Sequence, residues 1–267
     1  LDSLVDFSKP PGNFTVPAAE HKAKRTRATS DVYVAILSER GYRFRMSELD
    51  DRLQVNNKPM TDTIAAEIRT IIRDLNAQEG APFIYEVAAA EDSYIANGGQ
   101  NAYHPIKDYF ATLTWDGQDH IGRLAAYFKD KHDMFSLYLR RWLVGSVVRL
   151  YENGEQNRVL VLDGRQNIGK SFFVRWLAKD LLPYHLEMSV DPDSNDHKLR
   201  LMDKFIWEVP ELGAVTRRSD HEALKNFFSI QWVDARAPYG KYALHKPALS
   251  NFIATVNNER GFLNDPT

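Results

Sequence analysis

The run Arg158-Val159-Leu160-Val161-Leu162-Asp163 passes directly into Gly164-Arg165-Gln166-Asn167-Ile168-Gly169-Lys170-Ser171, and then into Phe172, Phe173, Val174 and Leu177. The first segment is short, apolar and rich in branched side chains, which predicts a buried strand. The last has helical spacing and predicts a helix whose four apolar residues face a core. Between them stands G-x-x-x-x-G-K-S, in the strand–loop–helix context that a phosphate-binding P-loop requires.

Each loop position has a physical task. The glycines let backbone N–H groups turn inward around phosphates, and the following helix adds its positive dipole end. The Lys170 ammonium is placed to reach β- and γ-phosphates, and the Ser171 hydroxyl to ligate magnesium. ATP and Mg2+ are therefore the expected cofactors, held by Gly164 through Ser171. The plain alternative is a glycine-rich turn with no ligand.

Such a loop needs an acid at the end of a neighbouring strand. Lys204-Phe205-Ile206-Trp207-Glu208 reads as an apolar strand closing on a carboxylate, and Val209-Pro210-Glu211-Leu212 adds a second one beyond a proline that ends regular pairing. Glu208 is the expected magnesium ligand, and Glu208 or Glu211 the residue that polarises an attacking water. A third strand, Asn251 to Val256, ends in Asn257-Asn258. An amide at that tip can hold the water or the γ-phosphate, although asparagine is also an ordinary turn residue.

The remaining chain sets bounds. Its 267 residues, 43% hydrophobic, suffice for one large core or two modest ones. The formal net charge of -2 gives no general basic excess, so a nucleic-acid contact has to be local. Cysteine is absent, which removes disulfides, thiolate zinc sites and thiol catalysis. No apolar run is long enough to span a membrane, no signal peptide is visible, and a cytoplasmic protein is expected. A start at Leu1 rather than Met predicts a piece of a longer polypeptide.

Residues 1–30, with Pro10, Pro11, Gly12, Pro17 and a basic run from Lys22 to Arg27, read as an arm or linker. Residues 31–97 read as a small α+β domain. It has a helix from Val32 ending at Gly41, short strands at Tyr42 to Met46 and Arg52 to Val55, and a helix striped by Ile64, Ile68, Ile71, Ile72 and Leu75 behind a Thr61 or Asp62 cap. Residues 98–150 read as a helical segment packed on the core, with Tyr103, Tyr109, Phe110, Trp115, Tyr127 and Phe128 as core aromatics. Residues 151–267 hold the nucleotide core. The expected fold class is thus α/β: a P-loop NTPase parallel sheet, AAA-like, preceded by a helical segment and a small α+β domain.

From about residue 100 onward the chain resembles the virulence-associated E family, phage and plasmid proteins related to superfamily 3 helicases. The resemblance rests on Tyr103-His104-Pro105 with Asp108-Tyr109, on Leu113-Thr114-Trp115-Asp116-Gly117, on Val161 through Ser171, and on Phe205-Ile206-Trp207-Glu208 with Glu211-Leu212. It continues through Glu222-Ala223-Leu224-Lys225, Arg236-Ala237-Pro238-Tyr239-Gly240 and Thr255-Val256-Asn257. Where the family loop reads Gly-Pro-Gln-Gly, Arg165 and Asn167 stand here. Asparagine tolerates positive φ, so the loop conformation is expected to survive. The family also runs past Asp265-Pro266-Thr267 into an arginine-bearing segment that this chain does not include. If that arginine serves a neighbour's nucleotide, the chain by itself binds ATP but hydrolyses it poorly.

The resemblance implies a DNA-threading hairpin between the acidic and the asparagine strands: Val233 to Arg236, a turn at Ala237 to Gly240, and Lys241 to Leu244. Arg236, Lys241, His245 and Lys246 become candidates for phosphate contacts and Tyr239 for base stacking; ordinary solvating charges are the alternative. Arg217, Arg218 and Lys225 are candidates to act across a subunit boundary on the γ-phosphate, or else simply decorate a helix start. The implied function is an ATP-driven replicative helicase or primase-helicase module of a mobile element, a homo-oligomeric, hexameric ring moving single-stranded DNA, with a primase domain as one option upstream of Leu1. A nucleotide-dependent DNA-binding or assembly module and a P-loop small-molecule kinase are the alternatives. A kinase is disfavoured because no arginine-rich lid follows the core.

Overall fold

The computed structural model describes residues 25–130, 132–212, 218–236 and 242–257. Contacts divide the chain into two compact units, Leu1–Tyr42 with Thr61–Ile95, and Arg43–Met60 with Ala96–Thr267.

The smaller unit holds β1 (Thr26–Arg27), α1 (Ser30–Glu39), α2 (Asp62–Ala77), β5 (Phe83–Ile84) and most of α3 (Val87–Gln100). Thr61 caps α2 by accepting from the Ile64 N–H at 3.3 Å, which leaves Ile68 and Ile72 buried one turn apart. Tyr33 is buried in this unit, and its hydroxyl accepts from the Glu86 N–H at 2.7 Å.

The larger unit contains β2 (Phe44–Ser47), β3 (Leu53–Val55), β4 (Lys58–Pro59) and β6 (Ala102–Tyr103), which form one small sheet in the order β4-β3-β2-β6. Next come α4 (Pro105–Ala111), α5 (His120–Ala125) and α6 (Phe135–Tyr151). Then follow β7 (Leu160–Asp163), α7 (Lys170–Leu177), a 3-10 turn over Lys179–Tyr184, β8 (His185–Glu187), α8 (Asn195–Asp203) and β9 (Ile206–Val209). The last elements among the described residues are α9 (Arg218–Phe228), β10 (Trp232–Ala235), β11 (Leu244–Pro247) and β12 (Asn251–Val256).

The main sheet is four-stranded, in the order β7-β12-β9-β8, and every pairing in it is parallel. A parallel sheet is covered on both faces, so its strands run apolar throughout. On β9 and β12 successive residues serve opposite cores. Ile206 and Ile253 join Trp142 of α6 and Phe173 and Val174 of α7. Trp207, Phe252, Ala254 and Val256 join Leu201 of α8, Leu224 and Phe227 of α9, and Val233 and Ala235 of β10. The chain is therefore mixed α/β with a parallel sheet. Among the described residues no helix is long and apolar enough to cross a membrane.

Several expectations need correction. The loop-bearing strand starts at Leu160 rather than Arg158, and the acid-bearing strand runs Ile206–Val209, so Glu208 is not its last residue. Phe172 is 72% exposed; at about 100° per residue it shares the side of Trp176, while Phe173, Val174 and Leu177 take the core. Trp115 and Tyr127 are 80% and 87% exposed rather than core. Trp115 lies in a loop that satisfies its own polar groups, with Trp115 Nε1 donating to Gln118 O at 3.2 Å and the Gln118 N–H to Asp116 Oδ1 at 3.0 Å.

Candidate phosphate-binding site

Because β7, β12 and β9 are parallel neighbours, the segments that follow them emerge at one edge of the sheet. The register pairs Val256 with Asp163 and Ala254 with Val209. The Gly164 N–H then donates to Val256 O at 3.2 Å, carrying the pairing one residue past the strand. The loop 164–169, Asn257 and the Glu208-to-Glu211 segment are thus assembled from distant parts of the sequence by strand order alone.

The loop closes on two positive-φ residues. Asn167 sits at φ 62°, as expected of the residue that replaces the inner glycine, and Gly169 at φ 95° forms the N-cap of α7. Arg165, Gln166, Asn167 and Ile168 are exposed, while Lys170 and Ser171 are half-buried at the helix start. Lys170 Nζ donates to Gly164 O at 2.8 Å, Arg165 O at 2.9 Å and Asn257 Oδ1 at 2.9 Å. An ammonium has three protons to donate, and here three oxygens receive them.

Glu208 is fully buried, and neither of its carboxylate oxygens has a hydrogen-bond partner among the described residues. Alternation along β9 places it on the α7 face with Ile206. Glu211 is exposed, at φ 51°, a left-handed conformation that costs a non-glycine residue energy and tends to occur at functional positions. Its N–H donates to Thr255 Oγ1 at 3.4 Å, tying the segment after β9 to the end of β12.

Magnesium fits this chemistry. Glu208 and Ser171 offer hard oxygen donors, the type that cation takes, and the orphaned Glu208 oxygens are atoms that a cation would satisfy. Among the described residues no three His, Cys, Asp or Glu side chains cluster as a metal site. The donor set therefore suits a cation that arrives with phosphate oxygens and water rather than one caged by protein.

The expected hairpin exists, with β10 antiparallel to β11 and Ala235 opposite Leu244, so its second strand lies later than anticipated. Arg236 is exposed just past β10. His245 is exposed and committed within the hairpin, its ring stacked on Trp232 at 4.9 Å between centroids and its Nδ1 2.5 Å from Asp234 Oδ1. Lys246, with a side chain only 17% exposed, reaches Asp51 Oδ1 at 2.5 Å and Glu48 O at 2.6 Å. Tyr239, Lys241 and Arg217 lie outside the described residues, as does the side chain of Arg218. Lys225 is exposed on α9.

Sequence reasoning passed over Arg149. It is 1% exposed on α6, with Nε donating to Ala248 O at 2.7 Å and a terminal nitrogen to Ile230 O at 2.8 Å. One arginine thus holds the chain just before β10 and just after β11, the two roots of the hairpin. Burial pulls its guanidinium down to about 10. An arginine spaced like a core residue along an apolar helix was the available signal.

A cavity of about 960 Å³ opens at the other end of the sheet, lined by Phe205 and Ile206 at the start of β9 and by Trp176 and Leu177 at the end of α7. No residue from Gly164 to Ser171 lines it.

Residues 110–267 match the family model of the virulence-associated protein E-like domain. No curated protein matches the sequence. Among solved structures, the chain is similar to the A form apo structure of the NrS-1 C-terminal region, with a TM-score of 0.54 at 14% identity over 87% of this chain and 57% of that one. A second apo structure, of NrS-1 C-terminal region 305–718, gives a TM-score of 0.50 at 14% identity, with 84% of this chain and 56% of that one covered. The chain therefore spans somewhat over half the length of these structures, and at such identity the likeness concerns the fold.

Proposed function

We propose that this chain, which belongs to the virulence-associated protein E-like family, is the ATP-hydrolysing module of a replicative helicase or primase-helicase from a phage, plasmid or other mobile element. The observation that carries the reading is the bond from Lys170 Nζ to Asn257 Oδ1, which joins the glycine-rich loop to the tip of β12 on the sheet edge where the Glu208–Glu211 segment also emerges.

In this mechanism the backbone N–H groups of Gly164 to Gly169 and the start of α7 bind the phosphates. Lys170 exchanges at least one of its three oxygen partners for a β- or γ-phosphate oxygen, and Asn257, once released, is free to orient the γ-phosphate or the attacking water. Ser171 and Glu208 would hold magnesium, which would supply positive charge against that developing on the phosphates. Glu211 polarises the attacking water from the exposed side. Arg218, Lys225 and Arg217 are the residues offered to a neighbouring subunit's nucleotide in a ring. The β10–β11 hairpin, with Arg236 past its first strand, is the element proposed to move single-stranded DNA.

Nucleotide-dependent DNA binding or assembly without strand movement is the second reading. It is favoured by the engagement of Lys246 with Asp51 and of His245 with Asp234, which commits two of the hairpin's candidate cations. Measuring ATP turnover and particle mass with and without single-stranded DNA, on this chain and on a longer version running past Thr267, tests both. DNA-stimulated turnover by a ring supports the motor. ATP-dependent assembly with no stimulation in the longer chain supports the second reading, and no ATP binding by either chain rejects the site.

A further inference from the structure

Glu208 poses a physical problem that its own strand does not solve. A carboxylate removed from water ordinarily accepts several hydrogen bonds, yet both of its oxygens are orphaned among the described residues. His185 of β8 presents the matching deficit. Its side chain is 7% exposed, its Nε2 is buried with no hydrogen-bond partner among the described residues, and that nitrogen lies 3.8 Å from Glu208 Oε2.

Topology explains the encounter. In the parallel β8–β9 pair His185 stands opposite Ile206, and Glu187 opposite Glu208. His185 is thus one pleat behind Glu208 on the same face, the face covered by α7. Arg175 of α7 is bound by Glu187 at 2.8 Å. Among the described residues the ion-pair contact to Glu208 comes from His185.

We infer that His185 is the positioning residue for Glu208. An approach of about 0.8 Å makes the pair a hydrogen bond of ordinary length. Either the Nε2–H tautomer or the imidazolium can donate it. Held at Oε2, the carboxylate would be fixed in orientation, leaving Oε1 as the oxygen that would serve a cation. Outer-shell partners of this kind set ligand orientation, and their loss typically lowers metal affinity or activity about 10- to 100-fold. The inference rests on the magnesium role proposed for Glu208.

The test reads binding rather than turnover. Magnesium is titrated into the protein with a fixed amount of a fluorescent, non-hydrolysable ATP analogue. His185→Leu is expected to raise the half-saturating magnesium concentration about tenfold or more, while affinity for the analogue without magnesium stays at the wild-type value. His185→Gln, whose amide can still donate to Oε2, should stay within about threefold of wild type, on the same reasoning. His185→Asn, too short to reach, should behave like His185→Leu and takes its place if the leucine variant does not fold. A wild-type magnesium requirement in both His185→Leu and His185→Asn, or a glutamine variant as defective as the asparagine one, overturns the inference and leaves the nucleotide site standing. A wild-type protein whose analogue binding ignores magnesium overturns the inference together with the magnesium role of Glu208 on which it rests.

Discussion

Lys170 Nζ donates to Asn257 Oδ1 across 2.9 Å, although the two residues are 87 positions apart. The bond exists because β7 and β12 are neighbours, so the residues beyond their ends meet. With Gly164 O and Arg165 O as its other acceptors, the ammonium is held at the loop by three oxygens.

Lys170→Ala should therefore remove binding without removing the fold. The side chain is half-buried at the loop and supports no core cluster. Charged hydrogen bonds contribute about 1.5–3 kcal/mol each, so the loss of contacts to two phosphates should weaken ATP binding by roughly 100-fold or more. Calorimetric titration and a thermal melt check it together. Unchanged affinity, or an unfolded variant, contradicts the role.

For Glu208→Gln the outcomes separate stability from chemistry. The amide is nearly isosteric but cannot supply the negative charge that organises cation and water. Turnover should fall by roughly 100-fold or more in the active assembly, by analogy with removal of a preorganised electrostatic group. Without nucleotide the variant should be at least as stable as wild type, because it replaces a buried charge that accepts no hydrogen bond among the described residues. A lower melting temperature would mean that the charge is paired in solution, with His185 or another donor.

Asp51 offers a test of the hairpin from outside it. Lys246 can contact DNA only by leaving Asp51 and Glu48 O. Asp51→Ala removes the charged one of these two partners and should ease release of the ammonium, tighten single-stranded DNA binding and steepen the slope of log affinity against log salt by roughly 0.7. If slope and affinity stay constant, Lys246 is a brace for the hairpin and the DNA contacts belong to Arg236 and its neighbours.

Arg149→Met should loosen both roots of the hairpin together. Each orphaned carbonyl, Ala248 O and Ile230 O, costs about 1–3 kcal/mol. Removing a guanidinium that no carboxylate pairs with among the described residues returns part of that. A net loss of about 2 kcal/mol in urea unfolding is expected, together with loss of DNA-stimulated turnover. Full stimulation would show that the hairpin holds its place without this clamp.

His104 gives a pH signature. Its Nδ1 accepts from the Lys107 N–H at 3.2 Å and caps α4. Burial, assisted by Lys107, holds the imidazole below its ordinary value. Between the folded value and about 6.5 the unfolded chain binds the extra proton, so this contribution is complete above that range and falls as pH falls through it. The urea midpoint of wild type should therefore drop more than that of His104→Asn, which keeps a cap, between about pH 7.5 and about pH 5.5. Parallel curves would dismiss the histidine as the source.

Local pattern alone located the strand–loop–helix unit around Gly164 to Ser171, the Thr61-capped helix, and the strand from Asn251 to Val256. Propensity, periodicity and capping act over a few residues, and one loop position, Asn167, even carried its positive φ in its identity. Only the tertiary structure decided what faces what. Periodicity names the residues that share a face but not the element laid across it. Phe172 therefore turned outward, Trp115 stayed in solvent, and Lys246 found Asp51 195 positions away. The burial of Glu208 beside His185 is of the same kind. Glu208 stood out in the chain as an acid on an apolar strand but His185 did not, and the parallel pairing of β8 with β9 brings together two side chains whose facing atoms have no hydrogen-bond partner among the described residues.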